Sequence, residues 1–371
     1  MKTFLYLTSL FLLCAGSAFP QPVISPEVHT DGSVTFRLRA PNAETARVQC
    51  EGQKSAEMQK DAQGVWSLTT PPMEPDYYGY SFSVDSARVI DPSNPLLKYN
   101  LLNTENQVHV PGSATLPWEL NDVPRGQLHR HYYRSTIAGD DRDFIVYTPP
   151  GYDPAGKTRY PVLYLLHGFS DDSTGWTSAG FANVILDNLI ARKEVRPMIV
   201  VMPLGYGIMD FVRGGWDGAR RAEMRQQNTE RFQGNLFKEV MPMVEKAYRI
   251  SAEQKTSAIA GLSMGGAQSL SLGLNNLDRF AWIGAFSAGG GGTNYTSQFP
   301  NLNLKANDKL RLLWMGCGKE DGLFAGNKKF EEWLTSQGIK HMWKESPGAH
   351  SWRVWRRYLA EFTPLLFQEK K

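Results

Sequence analysis

The sequence predicts an α/β protein built on a doubly wound sheet of about eight strands, preceded by a small all-β sandwich. Three observations carry that reading. Residues 23–108 alternate apolar and polar side chains with a period of two, interrupted by Gly, Pro and Asp. From His129 onward, near-continuous apolar runs such as residues 162–166 and 198–202 alternate with helical stripes, as a sheet covered on both faces requires. Between the fifth such run and the helix after it stands Gly261-Leu-Ser-Met-Gly265, a serine set in a tight strand-to-helix turn.

The chain opens with Met1-Lys2, an apolar run over residues 4–13 and the small residues Ala15 to Ala18. That is the pattern of an export signal, assigned to residues 1–21 and cut after Ala18 or by Gln21. The run is too short for a permanent bilayer span. Leu13 is too large for lipid attachment at Cys14, so a periplasmic or extracellular protein is expected. Residues 22–108 supply short strands around Val34, Phe36 and Leu38, then at 46–50, 65–68 and 78–84. Their spacing indicates an antiparallel sandwich of immunoglobulin-like type. Trp66, Tyr77, Tyr78 and Tyr80 in this part either stack on sugar rings or fill a core. Residues 91–95 are turn-rich, and 109–127 form a linker punctuated by Pro and Gly.

The remainder, 128–371, carries eight expected strands at 129–137, 142–149, 161–166, 197–202, 257–260, 281–286, 310–316 and 340–345. Helices are expected between them at 178–193, 230–247, 265–275, 326–337 and 351–367, the second with a Phe232, Leu236, Val240, Val244 stripe kinked at Pro242. A G-x-S-x-G turn after the fifth strand is the α/β-hydrolase arrangement.

Composition narrows the partners. A net charge of +3 with no basic run gives no grounds for a nucleic-acid or anionic-membrane partner. No metal-ligand spacing is present, and Cys50 and Cys317, placed in different domains, are expected as buried unpaired thiols.

The chemistry centres on Ser263. A serine hydroxyl needs a base within reach and fixed donors for the charge that develops on an attacked carbonyl. The turn after the third strand, Leu165-Leu-His-Gly-Phe-Ser170, and the residue after the serine place the Phe169 and Met264 N–H groups for that task. His167 is expected to brace its loop. Asp321 is preferred to Glu320 as the acid, because a shorter side chain beside Gly322 suits a tight loop. His350, in the loop Ser346-Pro-Gly-Ala-His-Ser-Trp352, is preferred as base to His341, which begins a strand. The order Ser263, Asp321, His350 is the one this fold uses. Trp176, Phe181, Trp216 and Gln268 are candidate pocket residues.

Tyr164-Leu-Leu-His-Gly-Phe169, Ala260-Gly-Leu-Ser-Met-Gly-Gly-Ala-Gln268, Gly316-Cys-Gly-Lys-Glu-Asp321 and Gly348-Ala-His-Ser-Trp352 resemble the family-1 carbohydrate esterases, the feruloyl and acetyl-xylan esterases of the esterase-D-like group. Residues 33–41 and the Tyr78-Gly-Tyr-Ser-Phe82 stretch resemble, loosely, early-set carbohydrate-binding modules of family-48 type. The resemblance implies a triad of Ser263, Asp321 and His350, no cofactor or metal, and a polysaccharide or oligosaccharide ester as substrate. Feruloyl groups are the first expectation and acetyl groups the second. A siderophore ester is the alternative, and a protein that only binds its ligand is the remaining one.

Overall fold

The computed structural model describes residues 22–289 and 294–368, so the segment read as an export signal lies outside the described residues. The main sheet has eight strands: β1 (Gln127–Arg134), β2 (Asp141–Thr148), β3 (Val162–Leu166), β4 (Ile199–Pro203), β5 (Ser257–Leu262), β6 (Trp282–Phe286), β7 (Leu312–Gly318) and β8 (Met342–Ser346). Their order is β1-β2-β4-β3-β5-β6-β7-β8. β2 runs antiparallel to both of its neighbours, and every pairing from β4 to β8 is parallel. Each strand ends within three residues of the span expected from the sequence. The loops after β3, β5, β7 and β8 therefore open on one edge, where a sheet of this kind receives its ligand.

Two apolar layers sandwich the sheet. Leu163, Leu165, Val200 and Ala260 face Ile185, Trp355, Tyr358 and Phe362. Their neighbours Val162, Tyr164, Ile199 and Ile259 face Phe232, Val240, Leu270 and Phe330 on the other side. Alternation along fully buried strands is why these runs are apolar throughout.

Two of the expected helices differ in detail. The helix expected at 178–193 is split into Gly175–Ser178 and Ala182–Ala191, because Phe181 takes a left-handed φ of 53°. The helix expected at 230–247 begins earlier, at Ala222, and widens into a π turn over Leu236–Val240 just before Pro242. Proline has no N–H to donate and its ring collides with the carbonyl four residues back, so a wider turn absorbs it. Two short helices, Asp210–Arg213 and Gly215–Arg220, were not expected from a stretch so polar and glycine-rich. No helix among the described residues is long and apolar enough to cross a membrane.

The N-terminal part is a sandwich of two antiparallel sheets, with Asp76–Val84 as its longest strand. Its last long strand, Glu105–Val110, passes the residue 108 at which the linker was expected to follow. Trp66, Tyr78 and Tyr80 are buried in its core beside Phe36, Val48 and Phe82. Tyr77 is buried against the α/β region, stacked on Phe181 at 3.9 Å. None of the four aromatic rings is free to lie against a sugar, which leaves them the core role.

The sandwich is locked to the α/β region by ions. Asp76, fully buried, accepts from Arg356 Nε and Nη2 at 3.1 and 2.7 Å and from Arg357 Nη1 at 2.6 Å. Arg356 also donates to the carbonyl oxygens of Ala179 and Tyr77. Burial pushes the Asp76 carboxyl upward, but the two guanidinium groups outweigh it and hold it below the usual carboxylate range.

Candidate active site

β5 runs straight into Ser263, whose backbone sits at φ 50°, ψ −113°, before the helix Met264–Asn275 begins. A non-glycine residue held there stores about 1–3 kcal/mol of strain. The neighbours hold it in place. Ser263 N–H donates to the Phe286 carbonyl at 2.8 Å, and the Ser263 carbonyl accepts from Gly289 N–H at 2.8 Å and Ala267 N–H at 3.0 Å. The glycines of the motif answer to close approach. A Cβ on Gly265 would lie 2.5 Å from the Leu166 carbonyl oxygen, and one on Gly261 would lie 2.6 Å from the Gly265 backbone. Any side chain at either position would push the turn off the end of β3.

The structure brings Asp321 and His350 to this serine from the loops after β7 and β8. His350 Nε2 lies 2.9 Å from Ser263 Oγ, and His350 Nδ1 lies 2.8 Å from Asp321 Oδ2. The Asp321 side chain is fully buried, whereas the imidazole is about a third exposed, at 36%. Burial alone would raise the Asp321 carboxyl. The hydrogen bond and charge of His350, with donors from Leu323 N–H and Ser287, outweigh burial and hold it below its ordinary range. An ionised carboxylate at Nδ1 fixes the tautomer that leaves Nε2 free to accept a proton. Glu320, the other acid considered, accepts from Gly348 N–H at 2.6 Å and so pins the loop that carries His350. His341 lies elsewhere, bonded to the Ile339 carbonyl and Glu331.

Two supporting residues had no signal in the sequence. Trp355 sets its ring edge-on to His350 at 4.8 Å and donates Nε1 to Ser287 Oγ at 3.1 Å. Ser287, fully buried at φ 47°, in turn supports Asp321. Trp355 follows His350 by five residues on the helix Trp352–Phe362, whereas Ser287 meets the triad because β6, which it follows, lies between β5 and β7.

The loop after β3 lies beside the serine. A Cβ on Gly168, the residue before Phe169, would come 3.6 Å from Ser263 Cβ. Neither the Phe169 N–H nor the Met264 N–H has a protein acceptor among the described residues. His167 is buried, accepts from Gly205 N–H at Nε2 (2.8 Å) and donates from Nδ1 to the Gly168 carbonyl (2.8 Å). It braces the loop, and burial holds its imidazole neutral by lowering its pKa.

Ser263 and His350 open into a cleft of about 560 Å³. Of the four expected pocket residues, only Trp216 lines it, exposed and packed 4.8 Å from the Phe169 ring. Trp176 is core: its ring packs on Trp352 and Phe286, and its Nε1 donates to the Leu166 carbonyl. Phe181 lies between Tyr77 and Arg356, at the junction with the sandwich. Gln268 is buried, with Nε2 donating to the Gly205 carbonyl. Each reads as a pocket residue in sequence because an aromatic or amide near the motif looks available, and each is spent on packing.

The opposite wall comes from the N-terminal sandwich. Glu51, Lys98, Asn100 and Glu105 all line the cleft. Asn100 Nδ2 donates to Ser170 Oγ and Asp171 Oδ1, both at 3.0 Å, and Leu101 N–H donates to the Ser170 carbonyl at 2.7 Å. Burial raises the Asp171 carboxyl to about 7, against the opposing pull of Asn100 and Lys98. The loop expected to carry an oxyanion donor is therefore tied to the sandwich. Among the described residues no group of three or more His, Cys, Asp or Glu is placed to hold a metal ion. Cys50 and Cys317 are both buried and unpaired, their thiols pushed up to about 12 by burial.

Comparison with known proteins agrees with this architecture. The protein family described as "Putative esterase" matches residues 135–366. An endo-1,4-beta-xylanase/feruloyl esterase of Xylanibacter ruminicola is 30% identical over 351 residues, covering 92% of this chain and 46% of that protein. An esterase of Mycobacterium tuberculosis is 28% identical, covering 60% of this chain and 56% of its own. The chain thus spans about half the length of these curated relatives. Among solved structures, the CE1 ferulic acid esterase of Anaeromyces mucronatus is 23% identical with a TM-score of 0.61, over 69% of this chain and 96% of that one. The enterochelin esterase of Shigella flexneri is 18% identical with a TM-score of 0.68, over 93% and 95%. At these identities the structural likeness is one of fold.

Proposed function

The chain belongs to this esterase family and is a carboxylic ester hydrolase, and from that premise we propose an exported serine esterase acting on plant cell-wall polysaccharide, with feruloyl groups as first substrate and acetyl groups next. One observation carries the mechanism: the unbroken line of hydrogen bonds from Ser263 Oγ through His350 to Asp321, at 2.9 and 2.8 Å. Ser263 Oγ attacks the ester carbonyl while His350 Nε2 takes its proton, and Asp321 stabilises the imidazolium. The Phe169 and Met264 N–H groups receive the oxyanion, a task in which one fixed donor is worth about 3–4 kcal/mol. His350 returns the proton to the departing sugar alcohol. It then activates the water that releases the carboxylic acid from the acyl-serine.

The feruloyl assignment draws on the Xylanibacter relative's name and on the Phe169–Trp216 pair, which offers an aromatic face beside the serine. Export draws on the apolar run over residues 4–13. A siderophore ester is the second reading. It is favoured by one finding: the likeness to the enterochelin esterase extends over 93% of the chain, sandwich included, against 69% for the ferulic acid esterase. Rates on methyl ferulate, 4-nitrophenyl acetate and a ferric-siderophore ester, with Ser263→Ala as control, separate the two. Turnover of the siderophore alone would overturn the polysaccharide assignment, and full activity in Ser263→Ala would overturn the mechanism.

A further inference from the structure

The wall of the cleft facing Ser263 and His350 belongs to the N-terminal sandwich, and its chemistry is unlike that of the opposite side. Lys98 Nζ lies 2.6 Å from Glu105 Oε2 and 3.9 Å from Glu51 Oε2. Arg88 Nη2 meets Glu105 Oε1 at 2.5 Å, and Gly79 N–H donates to Glu51 Oε2 at 3.1 Å. Glu51 and Lys98 are only 13% and 16% exposed, so ions that would ordinarily sit on a solvated strand face are here largely withdrawn from water. Glu51 Oε1 is buried and has no hydrogen-bond partner. A buried acceptor without a donor is costly and calls for one. Gly79 keeps the floor of this wall open, since any Cβ there would collide with Lys98 Nζ and Glu105 Oε2.

We infer that Glu51, Lys98 and Glu105 form a subsite for the hydroxyl groups of the sugar that is the alcohol half of the ester, so that the sandwich selects the leaving group while the α/β region performs the chemistry. The inference rests on the sugar-ester reading above and adds to it which residues hold the sugar. Carboxylates accept from hydroxyls, and the ammonium donates to their lone pairs. A neutral polyol is therefore matched on both counts. A polyanion is not: Glu51 and Glu105 already balance Lys98 and Arg88, and Asp171 lies in the same cleft. An aliphatic alcohol would offer the carboxylates of Glu51 and Glu105 no donor, which is how a site built for hydroxyl groups rejects a substrate lacking them.

The test compares two esters with one acyl group: methyl ferulate and a feruloylated arabinosyl-xylooligosaccharide. The subsite predicts that the native enzyme favours the sugar ester in kcat/KM. It also predicts that Glu51→Gln and Lys98→Met each erode that preference by about tenfold, mostly through KM. Glu51→Gln keeps the side-chain shape and reports on the subsite if Lys98→Met disturbs folding, which melting temperatures will reveal. An equal loss on both esters in Glu51→Gln, or no preference in the native enzyme, would overturn the subsite. Failure to cleave either ferulate with 4-nitrophenyl acetate still hydrolysed overturns the feruloyl reading instead, and the same comparison made with acetylated xylooligosaccharide against methyl acetate then decides the subsite.

Discussion

Asp76 and Arg356 lie 280 residues apart in sequence, both with side chains shut off from solvent, and are joined at 2.7 Å across the junction between the sandwich and the α/β region. Arg356 stands on the helix Trp352–Phe362, which starts two residues after His350. His350, the proposed base, is thus carried next to a helix anchored from the sandwich side. This explains why so much charge is buried at one place: Arg353, Arg356 and Arg357 converge on one carboxylate.

Asp76→Asn should therefore be among the most damaging single substitutions outside the cleft. Removing one partner of a buried ion pair costs about 3–5 kcal/mol, because the remaining charge stays desolvated. Urea unfolding should show that loss. The pH dependence has a definite sign. The folded-state carboxyl is held below its ordinary 3.8, so the stability it contributes is present in full above that value and is lost as pH falls through the lower, folded value. The native protein should lose stability more steeply than Asp76→Asn below about pH 4.

Ser263 gives a second prediction, in which activity and stability part company. At φ 50° the serine is strained, and glycine is the residue that relieves such a backbone. Ser263→Gly and Ser263→Ala should both abolish ester hydrolysis, yet the glycine variant should be the more stable by about 1 kcal/mol. Equal melting temperatures would mean that the turn is not under tension.

Much of this site could be read from the chain because its chemistry is local. The G-x-S-x-G turn, the loop around His167 and the loop holding Asp321 each follow an apolar strand, the loop holding His350 follows the edge strand β8, and the fold places these strand ends on one edge. The cleft could not be read, since its walls come from residues that carry no pattern. Glu51, Lys98 and Glu105 look like the solvated face of a β-sandwich, and only the docking of that sandwich turns them inward. Trp176 and Gln268 mislead for the converse reason. An aromatic or amide near a motif is as often needed to hold the motif's backbone, as Trp176 Nε1 on the Leu166 carbonyl and Gln268 Nε2 on the Gly205 carbonyl do here.

Asp321→Asn preserves shape and removes charge. The amide can donate to Nδ1 and stabilise the wrong tautomer, so kcat should fall by about 10⁴-fold with KM little changed. In the native enzyme Asp321 is held ionised below the ordinary carboxylate range, so its protonation should put no acid limb on kcat/KM where ordinary carboxylates titrate. A limb there that moves with substitution of Ser287, whose side chain hydrogen-bonds the carboxylate, would count against that ionisation.

His167 offers the most discriminating test of the donor loop. Its ring spans from Gly205 N–H to the Gly168 carbonyl, one residue before the Phe169 N–H proposed to meet the oxyanion. His167→Ala leaves that buried N–H without an acceptor, at about 1–3 kcal/mol, and removes the brace. If Phe169 N–H acts only as charge develops, loosening it should lower kcat and kcat/KM together, by roughly 10- to 100-fold, while KM stays near native. A rise in KM alone would mean that the loop holds substrate in its ground state, and the oxyanion role would then have to pass to other donors.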